Sequence, residues 1–184
     1  MRSRGITLLE LLASISIAGI MVATAIPSFT NYIKDSMQSS SLTALKSDLY
    51  LTRSAAIRYR KFTVICVSNK DNSNCSEKPN WEDGWMAFID IDNDGACNSN
   101  DNICADGGKV IKVGKGVSSA NLKIRGYSHR EYKIRYDPMG FSYTFNGKVI
   151  ACDDRGSKKA KGLVISNTGR VRSTNEGDKL KCIK

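Results

Sequence analysis

The chain has 184 residues, 41% of them hydrophobic and 25% charged, and its 28 Lys and Arg against 18 Asp and Glu give a formal charge of +10. That length fits one domain plus an anchor. No P-loop and no Cys-x-x-Cys pair is present, and the one histidine, His129, is distant from every cysteine, which excludes a nucleotide-driven motor and leaves a zinc site without support. The charge is uneven: residues 106–184 hold eighteen Lys and Arg against seven Asp and Glu, a net of +11, while residues 1–105 come to −1. A surface of that sign is either a solvated basic face or one that meets an anion, such as nucleic acid, lipid headgroups or an acidic protein.

The chain begins with a basic leader, Met1-Arg-Ser-Arg4, followed by Gly5, and from Leu11 to Phe29 no residue is charged. As helix those nineteen residues span roughly 28 Å, about the hydrocarbon thickness of a bilayer. A secretory signal has a shorter apolar core, of about 7–15 residues, with its small residues after the core rather than before it. A plain anchor accounts for Arg2 and Arg4 on the cytoplasmic side. It does not account for Glu10, because an acid in a spanning helix costs about 2.5–3.5 kcal/mol and usually has a partner.

The run Arg4-Gly-Ile-Thr-Leu-Leu-Glu10 ahead of an apolar helix resembles the start of the type IV pilin family and its pseudopilin relatives, with Ile6 where Phe is usual. The resemblance implies that a prepilin peptidase cuts between Gly5 and Ile6 and that Ile6 becomes N-methylated. It also implies that Glu10 serves filament assembly by pairing with the terminal amine of a neighbouring subunit, so that the buried acid is neutralised across an interface. On this reading residues 1–5 are the leader and 6–29 the transmembrane and filament-core helix. Residues 30–61 are its amphipathic continuation, and 62–184 are a β-rich globular domain with a basic C-terminal region.

Beyond the anchor, Leu42, Leu45, Leu49, Thr52, Ala56 and Tyr59 recur at steps of three and four, the pattern of a helix with one apolar face. Lys46, Asp48, Arg53 and Arg58 fall on the other face, and the Ser, Met and Gln residues at 36–41 form a softer joint. From Phe62 the period changes to that of strands. Candidates are Phe62–Val67, Trp85–Ile91, Lys109–Val113, Asn121–Arg125, Tyr132–Tyr136, Phe141–Phe145, Lys148–Cys152 and Leu163–Ser166, with a turn at Trp81–Gly84. Asn146-Gly147 reads as a hairpin turn. The expected class is α+β, pilin-like: one long helix packed on an antiparallel sheet.

All six cysteines follow the anchor, and an even number in an exported domain implies disulfides. Fifteen pairings are open; Cys66–Cys75, Cys97–Cys104 and Cys152–Cys182 are favoured because each closes a local loop. The runs Gly84-Trp85-x-x-Phe88-x-Asp90, Tyr136-Asp-Pro-x-Gly140 and Gly162 to Arg172 resemble the minor pilin group that contains FimT, FimU and the type II secretion pseudopilin GspH. Within it, Gly169-Arg-Val-Arg172 is similar to the Gly-Arg-x-Arg signature of the FimT subgroup, which implies DNA binding during natural transformation.

The residues themselves are consistent with such a role. Arg170 and Arg172 are two apart, so on an extended segment they point the same way, about 6–7 Å apart. Guanidinium groups hold phosphate bidentately, and Gly169 permits close backbone approach. Lys158, Lys159, Lys161, Lys179 and Lys181 add to the same basic region. No recognition helix, finger or dense aromatic platform is present, so binding should be salt-sensitive and without sequence preference. The alternative is that Arg170 and Arg172 are solvent-facing strand residues.

Asp90-Ile-Asp-Asn-Asp-Gly95 has the spacing of a calcium loop, with Asp90, Asp92, Asp94 and Asp101 as the candidate ligands. Asp101 stands where such loops have Glu, the flanks read as strand and loop, and Asp and Asn before Gly are ordinary turn residues. The stretch is therefore expected to be a disulfide-held turn, with no metal or other cofactor. His129 lies in a basic loop, Trp81 and Trp85 read as packing residues, and no nucleophile elbow is present, so no enzyme activity is expected. The sequence thus leads to a minor pilin in the inner membrane with a periplasmic domain, then in an extracellular pilus, with DNA, other pilins and prepilin peptidase as partners. The alternative is a FimU-like or GspH-like structural subunit that initiates or caps a filament.

Overall fold

The fold is that of a computed structural model, which describes residues 7–99, 102–117, 121–127, 131–143, 146–175 and 177–182. Gly5, Ile6, Asp101 and His129 lie outside the described residues. The first element is the helix α1, Leu8–Tyr59. The chain divides into two compact units, residues 1–37 and 38–184, and α1 is helical through the Met37–Gln38 boundary.

In the first unit, Thr7 caps the helix. Its carbonyl accepts the Leu11 N–H at 3.1 Å as the first bond of the helix, and its hydroxyl accepts the Glu10 N–H at 3.3 Å, which satisfies one otherwise orphaned donor. The hydroxyls of Ser14 and Ser16 donate to the Glu10 and Leu12 carbonyls at 2.7 and 2.8 Å, so their polar atoms are satisfied within the helix. Leu8, Leu9, Leu12, Ile15 and Ile20 are exposed, and the helix is long and apolar enough to cross a membrane.

The second unit holds the rest of α1 and eight strands in two antiparallel sheets, where the sequence reads as one. The strands are β1 (Phe62–Val67), β2 (Gly84–Asp90), β3 (Val110–Lys115), β4 (Lys123–Tyr127), β5 (Lys133–Tyr136), β6 (Gly147–Cys152), β7 (Lys161–Ile165) and β8 (Val171–Ser173). Sheet I has the order β3-β2-β1-β5 and sheet II the order β4-β6-β7-β8. Leu42, Leu45, Leu49 and Ala56 of α1 pack with Ile65 and Ala87 of sheet I and Val149, Leu163 and Ile165 of sheet II in one core. Trp81, in a short 3-10 turn, and Trp85 are buried there, their indole N–H groups donating to the Glu131 carbonyl and the Asp48 carboxylate, each at 2.8 Å. Disulfides join Cys66–Cys75, Cys97–Cys104 and Cys152–Cys182.

One strand expected from the sequence is corrected. Composition predicts a strand at Phe141–Phe145, paired to β6 through Asn146-Gly147; Phe145 is outside the described residues, and Phe141–Tyr143 form no strand. Asp137 closes a turn there, its carboxylate accepting the Met139 and Phe141 N–H groups, each at 2.9 Å. The Ser142 N–H donates to the Asn167 carbonyl at 2.9 Å, and the flanks of β6 are taken by β4 and β7. The charged side of α1 is covered in part: Arg58 is exposed, but Asp48 and Arg53 have partners. Asp48 is buried against Trp85, and Arg53 Nε donates to the Gly140 carbonyl at 2.9 Å.

Leu45 is fully buried, so Leu45→Ala is expected to cost about 2–5 kcal/mol. The Tyr136 hydroxyl is buried with no hydrogen-bond partner among the described residues, so Tyr136→Phe should leave stability unchanged or raise it by up to about 1 kcal/mol. Thermal unfolding of the detergent-solubilised chain measures both.

Candidate nucleic-acid interface

Strand register decides which side of sheet II each cation takes. Arg172 of β8 lies opposite Val164 of β7, Val164 opposite Lys148 of β6, and Lys148 opposite Tyr127 of β4. Residues directly opposite in antiparallel strands share a face. These four therefore project from the side of sheet II opposite Val171, Ile165, Leu163 and Val149, which are buried in the core. Sequence reasoning misses Lys148 and Tyr127 as members of this face. The alternation of β6, with Lys148 one step from buried Val149, is the signal that points to Lys148.

The C-terminal tail crosses this outer face and is pinned at β8, β6 and β4. Asp178 takes Arg172 in a two-pronged pair, Nη1 to Oδ2 at 2.6 Å and Nη2 to Oδ1 at 3.1 Å. Lys148 Nζ stands 3.8 Å from the same carboxylate and donates to the Lys179 carbonyl at 3.3 Å. The Tyr127 hydroxyl donates to the Lys181 carbonyl at 2.5 Å. Cys182 is then bonded to Cys152 at the end of β6, and its N–H donates to the Ser157 hydroxyl at 3.0 Å. Lys158 and Lys159 follow in a 3-10 turn at Ser157–Lys159, both exposed. The tail thus lays Lys179 and Lys181 over the side of sheet II that carries Arg172, and ends beside the turn that carries Lys158 and Lys159.

Arg172 is not a bare cation. Its guanidinium holds the Asp178 carboxyl well below the usual carboxylate range, with the Asn175 N–H, 2.9 Å away, contributing after it. A depressed carboxyl favours the fold above its unfolded pKa, and that contribution is lost only as pH falls below the ordinary carboxylate range. The pair is therefore intact at neutral pH.

Arg170 is exposed and makes no side-chain hydrogen bond or ion pair with any described residue. It lines a groove of about 580 Å³ with Arg172, Tyr50, Val164 and Ser166. The turn before it is set by Gly169, whose φ is +74° and which is buried. A Cβ there would stand 2.0 Å from the Gly140 carbonyl oxygen, so the close approach that Gly169 permits is to its own fold. α1 holds this corner: Arg53 Nη2 donates to the Thr168 carbonyl at 3.2 Å and the Tyr50 hydroxyl to the Val171 carbonyl at 2.7 Å.

Lys161 is separated from the tail group. It lies opposite buried Ala151, and its ammonium donates to the Ser39 hydroxyl of α1 at 2.9 Å, in a groove shared with Lys46. On sheet I, Asp90 ends β2 and is fully buried, while Asp92 and Asp94 are exposed; one carboxylate oxygen from each lies within 4.8 Å of the others. Burial pushes the Asp90 carboxyl up, with the Gly95 N–H and Arg135 pulling it down. Glu10 has no cation against it among the described residues.

Residues 42–169 match the family described as Type II transport protein GspH, and residues 1–26 match the one described as Prokaryotic N-terminal methylation motif. Two crystal structures of the type IV minor pilin FimU of Pseudomonas aeruginosa, strain PAO1, are similar in fold. One, at 17% identity, covers 77% of this chain and 90% of that chain with a TM-score of 0.56. The other, at 15% identity, covers 76% and 94% with a TM-score of 0.53. No curated protein matches the chain.

Releasing Arg172 should add one free cation to the face. If this face meets DNA phosphates, Asp178→Asn, with Cys152–Cys182 still holding the tail, is expected to tighten binding of a short duplex at low salt about two- to threefold and to steepen the salt dependence by about one unit of slope. Fluorescence anisotropy at several salt concentrations measures both.

Proposed function

The chain belongs to the GspH family, within the type IV pilin and pseudopilin class, and from that premise we propose that it is a minor pilin whose cationic tail and sheet face bind extracellular DNA for uptake. Prepilin peptidase cuts between Gly5 and Ile6, and Ile6 carries the methyl group. Residues 6–29 hold the chain in the inner membrane and later in the filament core, residues 30–61 continue the helix, and 62–184 form the periplasmic and then extracellular domain. Glu10 meets the terminal amine of a neighbouring subunit, an ion pair that offsets the cost of an acid in an apolar core. The chain acts as a substrate of its processing enzyme and as a subunit, not as a catalyst.

The observation that carries the DNA reading is the pinned tail. Lys179 and Lys181 sit on a segment tied to sheet II by a disulfide, an ion pair and two side-chain-to-carbonyl bonds, and Lys158 and Lys159 stand in the turn whose Ser157 accepts the Cys182 N–H. Cations so anchored lose less freedom on meeting a polyanion than cations on a loose tail. Arg170 adds an exposed guanidinium at the adjacent groove. The set contacts phosphates and reads no bases, because it presents neither a recognition helix nor a stacking platform. Gly169 supports it indirectly, by shaping the turn that presents Arg170. Lys161, turned toward α1, contributes to the field rather than to contact.

A second reading has its own support. The family match is to a type II transport protein, and both solved structures similar in fold are of a minor pilin subunit. A basic face can meet the acidic face of a neighbouring pilin, so that the chain initiates or caps a filament without touching DNA.

The two readings separate in one titration. The oxidised chain in detergent is expected to bind duplex DNA of any sequence, with affinity falling along a salt slope of about −3 to −4 if four phosphates are contacted. Arg170→Gln together with Lys179→Gln and Lys181→Gln should weaken binding at least tenfold and flatten the slope. Absence of binding even at low salt would leave the filament-assembly reading.

A further inference from the structure

We propose that the β2–β3 loop is a calcium site built on Asp90, Asp92 and Asp94, separate from the basic face and independent of the DNA reading. The three acids stand at the first, third and fifth places of a loop whose sixth place is Gly95, the order of an oxygen-ligand calcium loop. Their carboxylates converge, with one oxygen of each within 4.8 Å of the others. The backbone is already coiled around them, with Asn93 at φ +70° and Gly95 at φ +73°.

The loop's own N–H groups take one oxygen from each acid. Gly95 donates to Asp90 Oδ2 at 3.1 Å, Asp94 to Asp92 Oδ1 at 3.2 Å, and Ala96 to Asp94 Oδ1 at 2.6 Å. The independent observation is what remains on Asp90. This side chain is fully buried, and its Oδ1 has no hydrogen-bond partner among the described residues. A buried carboxylate oxygen without a donor is costly, and native folds rarely leave one unanswered. A cation among the three carboxylates that reaches this oxygen would answer it.

Two bases stand against the loop, and they set the affinity. Arg135 Nε lies 3.7 Å from Asp90 Oδ2, on the oxygen that Gly95 already holds, and Arg135 Nη2 donates to the Asn93 carbonyl at 3.2 Å. Lys133 Nζ donates to the Gly95 carbonyl. Three acids with two bases leave a net charge of −1 before the ion enters. The site therefore belongs with weak, extracellular calcium modules, with Kd of about 0.1–1 mM. A cluster of carboxylates outside a tight octahedral cage suits calcium better than magnesium, which keeps its waters and demands that octahedron. The loop is held shut by Cys97–Cys104 and by Asn74, whose Oδ1 accepts the Cys97 N–H at 3.3 Å.

The test uses the full chain in detergent micelles, stripped with chelator and titrated with calcium chloride or magnesium chloride. Calorimetry of the wild type should show one calcium bound with Kd of about 0.1–1 mM, and thermal unfolding should rise by about 3–5 °C at a concentration about tenfold above Kd. Magnesium at the same concentration should give neither. Asp92→Asn/Asp94→Asn removes two charges from exposed positions while keeping amide oxygens for the loop's N–H bonds; it should melt like the stripped wild type and ignore calcium. A wild type with no calcium heat and no thermal shift overturns the proposal whatever the variant does. So does a shift that survives in the double variant or is matched by magnesium.

Discussion

Everything in the globular unit depends on how α1 seats between two sheets that do not share strands. Leu42, Leu45 and Leu49 form a stripe that closes the inner faces of both sheets at once, so neither sheet has a complete core without the helix. The same helix then places polar side chains at the rim. Tyr50 and Arg53 fix β8 and the turn before it, and Asp48 accepts the Trp85 indole N–H inside the core. A helix that supplies both the apolar seam and the rim bonds sets the position of the most distant strand in sequence. This is how a surface built from the last thirty residues becomes rigid.

That rigidity gives the basic region its character. A run of lysines at a chain end is ordinarily a solvated tail. Here the tail is stitched across β8, β6 and β4 and returned to β6 by a disulfide. Asp178 has a double effect. It neutralises Arg172, and in doing so it holds the segment that carries Lys179 and Lys181 against the sheet. The net result trades one cation for an ordered face.

The helix and seven of the eight strands are legible because each element carries its own period, and the burial of Leu42, Leu45 and Leu49 follows from spacing alone. What the period cannot say is which strands pair. Alternation in Lys148–Cys152 marks a face but not a neighbour, so two sheets read as one. Phe141 and Tyr143 have the composition of a strand, yet Asp137 claims the backbone at Phe141 for a turn. Lys46, Asp48 and Arg53 look like a solvent face on a helical wheel, because a wheel does not show that a second sheet closes over that side. At the basic face the cations are legible by type, but the Arg172–Asp178 pair is not, since it forms only when the tail folds back. Proximity in sequence groups Lys161 with the tail, and strand register turns it the other way.

The most direct measurement is a test of whether DNA touches the chain, and where. Lysine crosslinking of the full chain to a short duplex, followed by peptide mass analysis, gives that map. If the outer face of sheet II and its tail are the DNA face, adducts fall on Lys158, Lys159, Lys179, Lys181 and Lys148, and lysines of sheet I such as Lys112 and Lys115 stay unmodified. Adducts spread evenly over Lys61, Lys70, Lys112 and Lys115, or none at all, would contradict it.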